Sequence, residues 1–196
     1  QDAKGQIAEI YADIRKLCGV PYVSSMQRHL ATRSGWLEWA WHAVLPAFKS
    51  GVAQEAAWQA AASASAPPVP QLTPDQRAAL RLGSHGASAI GSICEGFIRV
   101  SPTNLAFSGL VRQLLKGAEG GAGSTPPWRP PDALPPTPVL VDMPPSPSEL
   151  GRALQVFEVE VDGHPFVPGL YRMLANWPEF MIHVAKVIGP RLVDSQ

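Results

Sequence analysis

The chain has 196 residues, enough for one or two domains with an apolar core. Its 16 basic and 16 acidic residues cancel, so no net charge favours nucleic acid or an anionic membrane. No apolar run approaches the roughly 18 residues that span a bilayer, and no signal peptide is visible, although the chain begins with Gln1. The composition predicts a cytoplasmic protein with neither a nucleic-acid nor a membrane partner.

Helical spacing of apolar residues predicts a series of helices separated by bends in the first part of the chain. The stripe from Ile7 to Leu17 recurs every three or four residues, and Gly19 and Pro21 end it. Pro21 also moves Val20 out of the helical region, so a bend follows. The predicted elements are a helix over 7–17, a bend over 19–23, a helix over 26–30, a turn at 34–35, a helix over 36–45 stopped by Pro46, and an alanine-rich helix over 51–65.

Capping sequences predict where the later helices begin. Thr73-Pro74-Asp75-Gln76 is a capping box that opens a helix through Leu82, and the small residues over 83–91 are expected to break a helix or pack tightly. Ser101-Pro102 has an N-cap followed by proline and opens a helix that ends at Gly117. Ser146-Pro147-Ser148-Glu149 opens another, which is expected to reach about residue 161.

The stretch 118–147 contains several Pro-Pro and Gly-Gly pairs and is predicted to be a semi-rigid, extended linker. Val139-Leu140-Val141 is the only β-like run recognised, and it is too short to found a sheet. The predicted fold class is therefore all-α.

Part of the chain is repeated. Gly19-Val20-Pro21-Tyr22-Val23 aligns without a gap on Gly163-His164-Pro165-Phe166-Val167, an offset of 144 residues from Gly19 to Gly163. Apolar residues replace apolar ones beyond it, as in a duplicated supersecondary unit. We expect 19–46 and 163–190 to superpose about a pseudo-two-fold axis, with neither segment in a sheet.

The repeat predicts three regions: a first helical repeat over 1–117, the linker over 118–147, and the start of a second, incomplete repeat over 148–196. Because the second copy is shorter, its last helix is expected to leave an apolar face uncovered and the chain to self-associate. That face comprises Phe180, Met181, Val184, Val187 and Ile188.

Few side chains form a recognisable chemical site. Cys18 and Cys94 lack metal-ligand or redox spacing and are predicted to be buried, reduced thiols. The five histidines include no pair at helical spacing, so no metal site is predicted. Core packing is favoured over a binding role for Trp36, Trp39 and Trp41, and an ion pair or helix-end contact over an anion site for Arg28 and Arg172.

Several segments resemble the group I 2-haloacid dehalogenases. These are Ile10-Tyr11-Ala12-Asp13-Ile14-Arg15, Val20-Pro21-Tyr22-Val23, Leu30-Ala31-Thr32, Val139-Leu140-Val141-Asp142 and Leu174-Ala175-Asn176-Trp177-Pro178. The resemblance implies an all-α, two-repeat homodimer with its active site between the repeats. It also implies hydrolysis of the carbon–halogen bond of short 2-halocarboxylates of either hand, without metal or organic cofactor.

The family's mechanism uses an aspartate base to activate a water that expels halide with inversion, and an asparagine to hold that water. In this chain, the resemblance places Leu170 where the family has the aspartate base, and Gly169 where the family has serine. The asparagine position is Ser101. At two pocket positions where the family has aromatic residues, this chain has Tyr22 and Ser25.

A leucine cannot accept a proton, so little or no hydrolysis by this mechanism is expected. Asp162 is the nearest spare carboxylate and a weaker candidate for the base, since a helix-capping role is the more ordinary one. Two alternatives stay open: a non-catalytic protein that uses the inter-repeat cavity for a small carboxylate or apolar ligand, and a different hydrolytic or lyase reaction using Tyr22 and Ser101.

Overall fold

A computed structural model describes residues 3–65, 68–118, 128–145, 147–161 and 163–193. These ranges confirm the all-α class, since the β-structure they contain is one two-stranded hairpin. In chain order the elements are α1 Gly5–Cys18, α2 Ser25–Leu30, α3 Trp36–Lys49, α4 Val52–Ala62, α5 Pro74–Ala79, α6 Ser84–Leu115, α7 Glu149–Gln155, β1 Val159–Val161, β2 His164–Phe166, α8 Gly169–Leu174 and α9 Pro178–Val193.

The chain forms two compact units that do not follow its linear order. Unit 1 comprises Gln1–Ala66 and Glu95–Pro136, and unit 2 comprises Pro67–Cys94 and Thr137–Gln196. The long helix α6 contributes its residues up to Cys94 to unit 2 and the rest to unit 1. Compact units and sequence repeats thus divide the chain differently, and the division into repeats at 117 and 147 remains a prediction.

The core of unit 1 forms where α1 packs against α3 and both meet the second half of α6. Ile14, Leu37 and Val100 are buried there. Trp41 packs against Phe48 and Phe107, with ring centroids 5.2 and 6.4 Å away. The helix α1 ends where predicted, because Gly19 takes a left-handed conformation with φ 61°.

Two predictions for α3 are wrong. Pro46 lies inside the helix, which runs on to Lys49, because the buried Phe48 beyond the proline contributes to the core and offsets one lost backbone hydrogen bond. Trp36 and Trp39 are 53% and 49% exposed, and Trp41 is the tryptophan of this helix that packs in the core. The buried face of α3 follows Leu37, Ala40, Trp41, Val44 and Phe48.

The predicted helix start at Ser101-Pro102 is also wrong, because α6 continues through both residues. Proline cannot donate a backbone hydrogen bond, and neighbouring side chains bond the carbonyls of this turn. The Thr103 hydroxyl donates to the carbonyls of Arg99 and Val100 at 3.1 and 2.9 Å. The Trp58 indole also donates to the Arg99 carbonyl, at 2.9 Å.

In unit 2 the helix α7 is shorter than predicted. It begins at the Ser148 cap, whose hydroxyl accepts from the backbone N–H of Gly151 at 3.0 Å, and ends at Gln155 instead of about residue 161. Valines alternate with acidic residues over 158–161, a strand pattern, and Gly163 turns the chain with φ 77°. The strands β1 and β2 then pair antiparallel, with Val159 opposite Phe166. Val139–Val141 was therefore not the only β-like run.

The aligned segments share local structure at the offset of 144, but not throughout. The helices α2 and α8 match residue for residue, and α3 and α9 end at matching positions. Thr32 Oγ1 donates to the His29 carbonyl, and at the matching position Asn176 Nδ2 donates to the Met173 carbonyl. The expectation that neither segment enters a sheet is wrong, because 164–166 form β2. Superposition about a two-fold axis remains a prediction.

The predicted uncovered face of α9 is wrong as well. Met181 is fully buried, and the other four residues of that face are half-buried. The helices α7 and α8 pack on α9, and unit 2 also includes 67–94 from before the linker. A segment distant in sequence thus belongs to the same unit, which the repeat alignment could not indicate.

Candidate functional site

Tyr22 lies in the bend after α1 in unit 1. Its ring is tilted against Phe97 at a centroid distance of 5.4 Å. A Cβ added at Gly96 would lie 3.5 Å from Tyr22 Cε1 and 3.8 Å from Leu134 Cδ1, so the surroundings are apolar. Burial raises the pKa of the Tyr22 hydroxyl. The hydroxyl is buried and has no hydrogen-bond partner among the described residues, which leaves a neutral donor for a ligand.

Arg99 holds this bend, a role that sequence reasoning missed. Its Nη1 donates to the carbonyls of Gly19 and Asp132 at 2.9 and 2.7 Å, and its Nε donates to Glu95 Oε1 at 3.0 Å. Arg99 therefore fixes the bend before Tyr22 to the linker residues that follow Pro130. The Glu95–Arg99 spacing of four was visible in the sequence, but its partners 80 and 33 residues away were not.

Ser25 and Ser101 are both exposed, and neither makes a side-chain hydrogen bond within the described ranges. Ser25 is the first residue of α2, and Ser101 lies in the middle of α6. The two helices are instead joined by Gln27, whose Nε2 donates to Asn104 Oδ1 at 2.8 Å. Asn104 lies about one turn beyond Ser101 on α6, the position where the resemblance requires an amide.

The partly buried polar connection continues from Gln27 to Ser24. Gln27 is 4% exposed, and its Oε1 accepts from the Ser24 hydroxyl. The sequence contains the three polar residues Ser24, Gln27 and Asn104, but nothing in it shows that α2 and α6 bring them together.

Gly169 and Leu170 are the first two residues of α8 in unit 2, and both are half-buried. A Cβ at Gly169 would meet Leu140 Cδ2 at 3.6 Å, an ordinary contact, so the structure leaves space for a serine there. Leu170 has no group that accepts a proton. Asp162, the weaker candidate for the base, lies outside the described residues.

The motif Leu174–Pro178 is explained largely by the packing of unit 2. Leu174 and Ala175 are buried. Asn176 Nδ2 donates to the Val139 carbonyl at 2.9 Å as well as closing α8. A Cβ at Gly86 would lie 2.8 Å from Trp177 Nε1, which shows how closely the indole sits on the start of α6. The motif therefore reflects the packing of unit 2 and is not evidence for a catalytic activity.

Arg172 makes the structural contact that the sequence favoured. Its Nε donates to the Val141 carbonyl at 2.9 Å, and its Nη2 lies 3.6 Å from Asp142 Oδ1. The Val141 N–H donates in return to the Arg172 carbonyl at 3.2 Å. Arg172 and Asn176 thus bind the extended segment 139–142 to α8.

Both cysteines are free thiols, Cys18 buried and Cys94 half-buried. Burial raises the pKa of Cys18 to about 11 and also raises the pKa of Cys94, so neither is a ready nucleophile near neutral pH. Within the described part of the chain, no three His, Cys, Asp or Glu side chains form a cluster able to hold a metal ion. None of the described helices combines the length and apolarity needed to cross a bilayer.

Neither a known family model nor a curated protein sequence matches the chain. Solved structures do match. A D-2-haloacid dehalogenase with L-LA has a TM-score of 0.71 and 21% sequence identity, over 97% of this chain and 68% of the dehalogenase. A D-2-haloacid dehalogenase mutant with D-2-CPA gives a TM-score of 0.69 and 20% identity over the same shares. The chain therefore has the helical fold of these dehalogenases. At 20% and 21% sequence identity, the similarity shows the fold alone.

Proposed function

We propose that this chain is a 2-haloacid dehalogenase-like protein whose substrates are short 2-halocarboxylates. The observation that carries the proposal is the match of 97% of the chain to dehalogenase structures, and the segments of the sequence that resemble the 2-haloacid dehalogenases support it. The reaction class is hydrolysis of the carbon–halogen bond, without metal or organic cofactor, in a homodimer.

The residue at the position of the base limits this activity. A positioned base contributes typically about 10²–10⁴ in rate, and Leu170 contributes none. Ser101 replaces the amide that holds the water, and its hydroxyl is exposed. We therefore expect the wild-type chain to release halide about 10²–10⁴ times more slowly than it would with a base at residue 170.

A second candidate function is non-catalytic binding of a small carboxylate. The unpaired, buried hydroxyl of Tyr22 favours it, because such a group gains a hydrogen bond when a ligand oxygen reaches it. The third alternative, joint catalysis by Tyr22 and Ser101, gains no support, since no hydrogen bond joins their hydroxyls.

Halide release from racemic 2-chloropropanoate tests the first function. The double variant Leu170→Asp/Ser101→Asn is expected to exceed the wild type, because it supplies a base and an amide. Leu170→Asn/Ser101→Asn is the matched control, with nearly the same shape and no base. Equal release by both variants would show that residue 170 is not the base position. If wild-type release is lost in Asp162→Asn but unaffected by changes at 170 and 101, the base is Asp162.

Calorimetric titration with 2-chloropropanoate separates binding from hydrolysis. If the chain is a binding protein, the wild type binds 2-chloropropanoate and releases no halide, and Tyr22→Phe weakens the affinity by roughly fivefold, since one hydrogen bond contributes about 1 kcal/mol. Unchanged affinity in Tyr22→Phe would remove the argument for this role of the hydroxyl.

A further inference from the structure

A groove lies between α7 and α9 in unit 2, with a volume of about 280 Å³. Glu149, Arg152 and Ala153 of α7 line one side of it together with Val156, the C-cap residue of that helix, at the spacing i, i+3, i+4, i+7. The facing residues of α9 are Ile182, Ala185 and Lys186. None of these residues belongs to the site proposed above.

The groove exists because small residues face each other where the helices pack. Ala153 and Ala185 are 6% and 7% exposed and form its floor. A Cβ at Gly189 would lie 2.7 Å from Val156 Cγ1, so the helices approach closely at this end. Ile182 and Val156 add apolar walls.

The polar side chains of the groove carry one net positive charge. Arg152 Nη1 donates to the Pro147 carbonyl at 2.6 Å, and the guanidinium has further donors. Lys186 Nζ lies 3.4 Å from Glu149 Oε1, with these side chains 70% and 63% exposed. An exposed ion pair of this kind contributes little stability, so Lys186 can exchange partners at small cost.

We propose that this groove binds a small monocarboxylate with an apolar tail. The carboxylate pairs with Arg152 and Lys186, and the tail lies on Ala153, Ile182 and Ala185. A short alkyl carboxylate such as hexanoate fits within the groove volume of about 280 Å³. Charge complementarity favours the carboxylate, because it forms charge-assisted hydrogen bonds to Arg152 and Lys186, whereas a hydroxyl accepts only weaker ones and an ammonium meets the net positive charge of the groove.

Calorimetric titration of the whole chain with hexanoate, hexan-1-ol and hexylamine tests the head group. Hexanoate is expected to bind, and the other two at least fivefold more weakly. Lys186→Gln is expected to weaken hexanoate binding by roughly 3- to 10-fold, the range of one solvent-exposed charge-assisted contact. Lys116→Gln, an exposed lysine in unit 1, is the matched control and should leave binding unchanged. Equal binding of hexan-1-ol, or equal effects of the two lysine variants, would overturn the proposal.

Ala185→Leu tests the tail, because its larger side chain fills the floor. It should abolish hexanoate binding while leaving halide release from 2-chloropropanoate unchanged, so this proposal and the dehalogenase proposal fail independently. If Ala185→Leu does not fold, a series from butanoate to decanoate decides, with an affinity maximum near hexanoate expected. Absence of hexanoate binding, with a change of sedimentation in Ala185→Leu, would assign the groove to a second copy of the chain and overturn the proposal.

Discussion

Within unit 1, Trp128 of the linker packs on Gly51, the residue before α4. Gly51 has φ 79°, and a Cβ there would lie 2.1 and 2.3 Å from Trp128 Cε3 and Cδ2. The same indole packs against Trp58 at a centroid distance of 6.1 Å. Substituting Gly51→Ala therefore introduces both backbone strain and a steric overlap that only movement of Trp128 can relieve.

The two costs can be separated with a second glycine. An L-residue in the left-handed region costs roughly 1–2 kcal/mol, and this is the cost expected for Gly35→Ala, with φ 81° and no atom within 4 Å of the added Cβ. At Gly51 the displaced indole also gives up part of the roughly 1.5–3 kcal/mol that burial of a large apolar side chain contributes. We expect Gly51→Ala to lower the free energy of unfolding by about 2–4 kcal/mol.

Urea unfolding followed by circular dichroism measures both variants. In a Trp128→Ala background, Gly51→Ala should cost no more than Gly35→Ala, because the overlap is gone and the strain remains. Equal costs of Gly51→Ala and Gly35→Ala in the wild-type background would refute the contact with Trp128 as the source of the difference.

Four further predictions concern pH, capping, the linker and the chemistry. Burial raises the pKa of the Cys18 thiol from 9.0 to about 11, so the neutral buried thiol contributes its full stability to the folded state below pH 9 and loses it as the pH rises through 11. The free energy of unfolding should fall by about 2–3 kcal/mol over that window, and by less in Cys18→Ala. Thr73→Ala removes the capping box and should destabilise α5 by about 1 kcal/mol, seen as faster amide exchange there with little change in global unfolding, since α5 has no buried residue. Arg172→Lys keeps the charge but loses the hydrogen bond to the Val141 carbonyl, so it should lower the free energy of unfolding by about 1 kcal/mol; an unchanged urea midpoint would contradict that role. Leu170→Asp should release more halide as the pH rises above neutral, because the partial burial of residue 170 favours the protonated acid, which cannot act as a base; a flat pH profile of halide release would contradict this.

Short-range signals in the sequence determined much of the helical structure. The capping box at Thr73 forms both of its reciprocal hydrogen bonds, and Gly19 ends α1 in the left-handed conformation. These features depend on atoms a few residues apart, so the local sequence is sufficient to specify them. The segments that resemble the 2-haloacid dehalogenases likewise indicated the dehalogenase-like fold, because the packing of residues such as Leu174 and Trp177 restricts which side chains fit.

Tertiary packing decided the features that local rules predicted wrongly. Pro46 and Pro102 lie inside helices because buried residues on both sides of each proline outweigh one missing backbone hydrogen bond. Trp36 is exposed because the buried face of α3 lies elsewhere, with the Arg33 guanidinium 4.8 Å from its ring centroid. A hydrophobic side chain at helical spacing shows that a face can be buried, and the packed partner determines which one is.

For the candidate site, the sequence indicated which residues occupy the expected positions, whereas their hydrogen bonds and burial were known only from the structure. That Leu170 cannot act as a base follows from its side chain alone. The unpaired hydroxyl of Tyr22, the contacts of Arg99 and the Gln27–Asn104 bond depend on segments up to 80 residues apart. Residues that distant in sequence become neighbours only through chain folding, so their hydrogen bonds and desolvation were decided by the tertiary structure.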